Sequence, residues 1–451
     1  MKTLKIILSV IVFILILILP AHAQITDFQS QWDASCIIRQ DKFNYVLPNA
    51  MRRNNIDMWI VIDRGRGTEP MMLDMAIETA YGHGIYVFYD GGGDRIERYS
   101  LGGPGSSKML DRCGVYDEIG RRTKLKTIVS ERDPKRIALN YLEPYMEGEG
   151  IYNADGLSTT DYKFLVEELG EKYEKRFVSA QDLIVDFRGE HVAGEIIEFA
   201  TAARITQQLL DRAFSNEVIT PGVTTQFDVE MWLEQKREEM GLRRTWFPGV
   251  GFPQSGYRDY DEVPKGTQPE RVIQRGDILS VDWGIYRNHF STDMKRYAYV
   301  LREGEVEAPP DLRKAFAESV KIREIIRKNI TSGRVGREQY EELKQIIRDA
   351  GYVYTEVERP GDAPGIEVNV GMHGMGNIAH DVAACLCEFS PELTEYEVRP
   401  NAFLALEFRI FMPSEEWGGK KIPVSIEENV VITERGLEWV HPPQNEVLLI
   451  R

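Results

Sequence analysis

Two aspartates eleven residues apart, Asp282 and Asp293, lie in the segment Leu279-Ser-Val-Asp-Trp-Gly-Ile-Tyr-Arg-Asn-His-Phe-Ser-Thr-Asp-Met-Lys-Arg296. The residues around them are β-branched and aromatic. That composition predicts a strand, a short turn near Arg287–Asn288 and a returning strand. Such a hairpin brings both carboxylates to one place. Acids within apolar strands cost free energy unless a countercharge compensates them, and a metal ion is one such countercharge. The C-terminal third holds further candidates. His373 and His380 flank the glycine-containing run His373-Gly-Met-Gly-Asn-Ile-Ala-His380, where glycine lets backbone approach a site closely. Glu407 sits in Phe403-Leu-Ala-Leu-Glu-Phe-Arg-Ile410, and Glu427 in Val424-Ser-Ile-Glu-Glu-Asn-Val-Val-Ile-Thr433. Taken singly, each of these glutamates reads equally well as the outward residue of a half-exposed strand.

The elements that must position these residues follow from periodicity. Ile196, Phe199, Ala200, Ala203, Leu210 and Phe214 recur at helical spacing, with Pro221-Gly222 expected to end that helix. A second helix is expected from Phe227 to Met240, and two more at 311–331 and 337–350. Strands are expected around Glu367–Met372, Phe403–Phe411 and Val424–Thr433. Upstream, residues 25–188 read as an α/β unit. Its strands are Met58-Trp-Ile-Val-Ile62, Gly84-Ile-Tyr-Val-Phe-Tyr89 and Arg136-Ile-Ala-Leu-Asn140, with a helix over 161–176. The glycine turn Asp90-Gly-Gly-Gly-Asp94 lacks a following Gly-Lys-Ser/Thr, so it is not read as a phosphate loop. Helices packed against a largely antiparallel sheet make the fold class α+β.

Taken together and in order, Asp282, Asp293, His373, Glu407 and Glu427 resemble the five metal ligands of the pita-bread metallopeptidases. That family includes methionine aminopeptidase, aminopeptidase P, prolidase and the metal-free creatinase. The resemblance is carried by Gly276-Asp277-Ile-Leu-Ser-Val-Asp282-Trp-Gly284 leading to Asp293. It continues through His373, Gly376 and His380, then Glu407, and ends on Ile426-Glu427-Glu-Asn-Val-Val-Ile-Thr433. It covers residues 190–451 and implies a C-terminal pita-bread catalytic domain at 189–451. A weaker resemblance implies a smaller creatinase-like N-terminal domain at 24–188, which tilts the reading toward Xaa-Pro peptide bonds. Four carboxylates and one imidazole suit two divalent ions, manganese foremost, with cobalt, zinc or iron as alternatives. The resemblance implies that Asp293 and Glu427 bridge the two ions, Asp282 completes one site, and His373 with Glu407 completes the other. It further implies a bridging hydroxide, Glu407 as proton shuttle, His380 as the contact to the substrate carbonyl, short peptides as substrate and a homodimeric assembly.

The pattern departs from its relatives around the substrate. The aminopeptidases carry a further histidine upstream of the first aspartate, where Lys265 stands here, and no histidine lies between His191 and Asp282. Gln254, Ser255, Tyr257 and Arg258 are the candidate substitutes. Asn369 and Ser425 stand where a histidine and an arginine are usual. His289 reads as a turn residue, and His83 and His441 as structural.

Composition bounds the remaining classes. The chain has 451 residues and a formal net charge of −16, a poor match for nucleic acid or an anionic membrane surface. Lys2 and Lys5, the apolar run Ile6–Leu19 and Ala21-His22-Ala23 read as a signal peptide over residues 1–23. The run is short of the about 20 residues a membrane span needs. The expectation is cleavage before Gln24, export to a periplasmic or extracellular space, and no stable membrane insertion. Export permits disulfides, and Cys36 and Cys113 could pair if the fold brings them together. Cys385 and Cys387 read as structural. The reading that follows is an exported dinuclear peptidase. The alternatives are a creatinase-like hydrolase of C–N bonds and a catalytically silent metal-binding protein.

Overall fold

The computed structural model describes residues 29–64, 69–76, 84–102, 112–143, 151–253 and 271–451. The signal-peptide reading, His83, Lys265 and the four candidates from Gln254 to Arg258 lie outside these residues. The chain divides into two compact units, one of residues 1–138 with 157–177, the other of residues 139–156 with 178–451. The fold is α+β, as expected.

In the first unit, β1 (Met58–Asp63), β2 (Gly84–Tyr89) and β3 (Glu97–Leu101) form antiparallel neighbours, with β4 (Glu118–Gly120) parallel to β3. Every residue of β1 is buried, which explains its unbroken apolar run. Trp59, Phe43 and Phe88 pack at its centre, with Phe43 and Phe88 edge to face at 4.9 Å. Cys36 and Cys113 are joined by a disulfide across 77 residues of chain. The helix expected over 161–176 is two helices, Thr159–Leu169 and Glu171–Glu174, separated at Gly170.

The second unit contains the expected helices α1 (Ala193–Ala213), α2 (Gln226–Glu239), α3 (Pro310–Asn329) and α4 (Gly336–Asp349). Helix α1 stops at Ala213, short of Pro221-Gly222. At its end the Ser215 hydroxyl donates to the Arg212 carbonyl (2.7 Å) and accepts from Glu217 N–H (3.1 Å). Such local bonds compete with helical ones. Thr225 and Asp228 cap α2 reciprocally, worth about 1 kcal/mol.

Two sheets underlie these helices. The first runs in the order β13 (Leu448–Ile450), β7 (Met294–Val300), β6 (Ile278–Trp283), β5 (Gly249–Gly251). Its core includes Leu210, Leu233, Val281, Trp283 and Met294, which pack with α1 and α2. The second runs Val353–Tyr354, β8 (Glu367–Val370), β10 (Phe403–Pro413), β11 (Lys421–Thr433), β12 (Gly436–Trp439), with β9 (His373–Met375) also pairing with β10. Its core joins Leu404, Leu406, Phe408 and Val430 to Phe316, Ile322 and Leu343 of α3 and α4. The sheets meet along β7 and β11, where the Tyr297 hydroxyl donates to the Pro423 carbonyl (2.9 Å) and the Asn429 amide donates to the Asp293 carbonyl. Each sheet therefore turns one face toward the other along that line, and the acids sit there.

Candidate metal centre

Strands β6 and β7 pair antiparallel with Asp282 opposite Lys295 and Trp283 opposite Met294. The hairpin tip follows the same register, Tyr286 opposite Ser291 and Arg287 opposite Phe290. Its turn falls at Asn288 and His289, which both adopt positive φ (45° and 75°), one residue beyond the expected position. His289 is thus the turn residue it was read as. Paired residues and residues two apart share a face. Asp282, Asp293 and Lys295 therefore project to the same side. The hairpin narrows at Gly284, where a Cβ would run into the Thr292 backbone carbonyl.

The second sheet adds the rest. On β10 and β11, Glu407 lies directly opposite Glu427. Like charges in that relation repel, so the pair needs a cation. His373 on β9 pairs with Ala405, two residues before Glu407, and so shares its face. The loop from His373 to His380 is held by buried Asp381, which accepts from Asn377 N–H (2.8 Å), Val382 N–H (2.7 Å) and buried Arg188 (2.8 Å). Gly376 is required there, because a Cβ would stand 2.7 Å from Asp381 Oδ2.

All five expected ligands converge. Donor atoms of Asp282, Asp293 and Glu427 lie within 4.8 Å of one another, as do those of His373, Glu407 and Glu427, and those of Asp293, His373 and His380. Asp293, His373, Glu407 and Glu427 are buried, while the Asp282 side chain is 43 % exposed. His373 Nε2 lies 3.3 Å from Glu427 Oε1, 3.8 Å from Asp293 Oδ2 and 4.0 Å from Glu407 Oε2. Its Nδ1 faces the Gly374 carbonyl at 3.4 Å, which leaves Nε2 for a metal. His380 packs beside His373 with ring centres 4.0 Å apart, and its Nε2 is 3.7 Å from Asp293 Oδ2. Asp282, Asp293, Glu407, Glu427 and His380 border a cavity of about 460 Å³ that Trp246, Phe389 and Arg409 also line.

With this geometry in place, comparison with known proteins is decisive about family. The model of metallopeptidase family M24 matches residues 198–434. The chain belongs to metallopeptidase family M24. It is therefore a hydrolase of the metallopeptidase class, and the family depends on divalent metal. The Xaa-Pro dipeptidase of Pyrococcus horikoshii is 27% identical over 312 residues, 68% of this chain and 78% of that protein. The Xaa-Pro dipeptidase of Pyrococcus furiosus is 24% identical over 302 residues, 65% of this chain and 75% of that protein. Among solved structures, the X-Pro aminopeptidase of Thermotoga maritima superimposes with a TM-score of 0.62 at 17% identity, over 89% of this chain and 99% of that one. An Xaa-Pro dipeptidase of Bacillus anthracis gives 0.59 at 18% identity, over 92% and 99%. The structural likenesses establish the fold.

The M24 site carries one feature that the ligand pattern alone does not contain. The Lys295 ammonium lies inside the cage, 2.5 Å from Glu427 Oε2, 2.7 Å from Glu407 Oε1 and 3.2 Å from Asp282 Oδ2. Only 12 % of its side chain is exposed. Burial alone would lower the Lys295 pKa, but Asp282, Glu407 and Glu427 together raise it well above the ordinary lysine value, so it is charged. For Glu427, burial works upward, and Lys295 and His373 overcome it to hold the carboxyl below the usual range. Asp282 and Asp293 go the other way. Burial raises the Asp282 carboxyl despite Lys295, and burial with Glu427 and Asp282 nearby pushes Asp293 well above the ordinary carboxylate value. Its Oδ1 is buried without a hydrogen-bond partner among the described residues.

The donors test the fit of a metal directly. His373 Nε2, with Asp293 Oδ2, Glu427 Oε1 and Glu407 Oε2 within 4.0 Å of it, makes a mixed oxygen and nitrogen donor set of the kind that holds a divalent ion. The residues on the Asp282 side already contact an ammonium. Lys295, Arg409 and Trp246 were not among the residues singled out from sequence. The hairpin register contains the signal for Lys295, since a turn centred between Asn288 and His289 places it opposite Asp282. Asn369 bonds the Thr355 carbonyl (3.1 Å) through its amide, and Ser425 lines an adjoining aromatic cleft of about 360 Å³ with Trp246, Phe252 and Phe411. His191 stacks on Phe403 at 3.7 Å and His441 is buried beside Asn429, both structural placements.

Proposed function

We propose that this chain is an exported peptidase that hydrolyses short peptides at Xaa-Pro bonds with the help of bound divalent metal, manganese first among the candidates. The observation that carries the proposal is the convergence of Asp282, Asp293, His373, Glu407 and Glu427, the four acids of which border one cavity of about 460 Å³ together with His380. The Xaa-Pro preference draws support from the names of the Pyrococcus relatives. Export draws support from the N-terminal pattern and from the Cys36–Cys113 disulfide, since disulfides persist in oxidising compartments. Homodimeric assembly, implied by the sequence resemblance, completes the proposal.

A bound divalent ion supplies Lewis-acid polarisation of a carbonyl and an acidified water. The protein's own groups do the rest. His373, Asp293, Glu407 and Glu427 would hold the ion. Glu407, whose Oε2 lies on the His373 side, moves the proton from water to the leaving amine. His380, 37 % exposed in its side chain, presents its ring to the cavity and orients the substrate carbonyl. Trp246 and Phe389 narrow the cavity and exclude water. A second ion, which the resemblance implies, would have to share the Asp282 side with the Lys295 ammonium.

Lys295 also favours the second reading, a metal-binding protein without peptidase activity. One assay separates the two. The chain beginning at Gln24 is loaded with manganese, cobalt or zinc and given a panel of Xaa-Pro and Xaa-Ala di- and tripeptides. Cleavage confined to Xaa-Pro peptides and abolished by Glu407→Gln is the expected result. Bound metal with no cleavage of any peptide would establish the second reading.

A further inference from the structure

Each of Glu407 and Glu427 divides its two carboxylate oxygens between two directions. Oε1 of Glu407 and Oε2 of Glu427 face Lys295, at 2.7 and 2.5 Å. Oε2 of Glu407 and Oε1 of Glu427 face His373 Nε2, at 4.0 and 3.3 Å. A pair of carboxylates arranged to bridge two cations would divide in this way. Here one of the two cations is a covalently attached ammonium.

From this geometry we infer that Lys295 permanently occupies one of the two cation positions, and that the chain binds a single divalent ion, at His373, Asp293, Glu407 and Glu427. The inference rests on the metallopeptidase reading of the site but concerns only how many ions it takes. Sterics carry it first. A metal bonds carboxylate oxygen at about 2.0–2.2 Å. An ion reaching Asp282 Oδ2, Glu407 Oε1 and Glu427 Oε2 would lie where the ammonium already contacts all three at 2.5–3.2 Å. Backbone register makes the placement hard to escape. Lys295 is directly opposite Asp282 on the neighbouring strand, and its Cα is fixed within a sheet whose flanking residues are buried. Charge carries it next. An ammonium delivers half the charge of a divalent ion, and Arg409 supplements it with a second contact to Glu407 Oε1 at 3.0 Å. On the other side, Asp293 presents Oδ2 to His373 and His380 at 3.8 and 3.7 Å, and its Oδ1 has no hydrogen-bond partner among the described residues. The Asp282 side of the cage thus already holds a cation of the chain's own, and the His373 side presents an imidazole with carboxylate oxygens.

The test counts metal, independently of peptide cleavage. The purified chain, stripped with chelator and re-equilibrated with excess manganese, is analysed for tightly bound metal by mass spectrometry and calorimetric titration. One equivalent per chain is expected, rising to two in Lys295→Ser, which frees the Asp282 side. Two equivalents in the unmodified chain would overturn the inference, as would no change of stoichiometry in a folded Lys295→Ser. Electron paramagnetic resonance of the manganese-loaded unmodified chain keeps the inference testable if the variant fails to fold. An isolated six-line manganese spectrum is expected, and an exchange-coupled spectrum would overturn it. Absence of bound metal altogether would overturn it too. Failure to cleave Xaa-Pro peptides, with one ion bound, would count against the proposed substrate alone.

Discussion

At the scale of single residues, the site is governed by which carboxylate has a countercharge of its own. Glu407, Glu427 and Asp282 have Lys295, and Asp293 does not. This asymmetry makes a prediction with two signs. Asp293→Asn should weaken manganese binding by more than about 100-fold, since changes merely outside the ligand shell already cost 10–100-fold. The same substitution should raise the melting temperature of the metal-free protein, because a buried carboxylate with one oxygen unbonded is costly. Thermal melts with and without manganese measure both effects. A second residue-scale prediction concerns His441. Its Nε2 accepts the Asn429 N–H at 3.2 Å and its Nδ1 faces the Pro442 carbonyl at 3.1 Å, an arrangement suited to neutral imidazole. Burial lowers its pKa, against the opposing pull of Glu428. The unfolded chain, with histidine near 6.5, therefore takes up the proton more readily than the folded one. Stability contributed by neutral His441 is complete above about pH 6.5 and is lost as the pH falls toward the lowered folded value. Urea denaturation between pH 7.5 and 5 should show this loss, and His441→Gln should flatten it.

At the scale of elements, the site depends on a hairpin and on two sheets meeting along β7 and β11. The hairpin can close only because Gly284 admits the Thr292 carbonyl. Gly284→Ala should cost about 1–3 kcal/mol, the range for overpacking a filled site, and shift the urea midpoint down accordingly. It should also weaken metal binding, since Asp282 and Asp293 sit on the two strands it would part. Much of this level was legible in the sequence. The helices and long strands were expected close to where they occur, because long apolar periodicity reports burial directly. The end of α1 was not, because the turn at Ser215 is decided by local hydrogen bonds that no periodicity reveals. Behind β11, Arg296 and Glu428 form a buried ion pair at 3.0 Å, and Glu428 also accepts the Gln444 N–H at 2.7 Å. That network holds the strand carrying Glu427 and is reachable only through contacts between distant segments.

At the scale of the whole molecule, stability is spread over two units with different devices. The catalytic unit relies on two extensive apolar cores. The first unit adds the Cys36–Cys113 disulfide, which closes 77 residues of chain. Replacing both cysteines by alanine should destabilise that unit by about 2–5 kcal/mol, the usual cost of losing a native disulfide. Differential scanning calorimetry should show one transition moving down while the transition of the catalytic unit stays in place. An unmoved first transition would remove the disulfide from the stability account and weaken the case for export that draws on it.

The sequence by itself supplied five candidate ligands in a fixed order and pointed to the fold class and to the M24 family that the chain belongs to. The structure brings those five side chains together. The occupancy of the cage was decided only by the tertiary structure. Lys295 lies two residues beyond Asp293 in plain view, yet its significance depends on a turn centred between Asn288 and His289, which sets it opposite Asp282. It depends equally on a second sheet bringing Glu407 and Glu427 within reach of its ammonium. Register and the approach of separate sheets are long-range properties of the packed chain, and no local pattern encodes them.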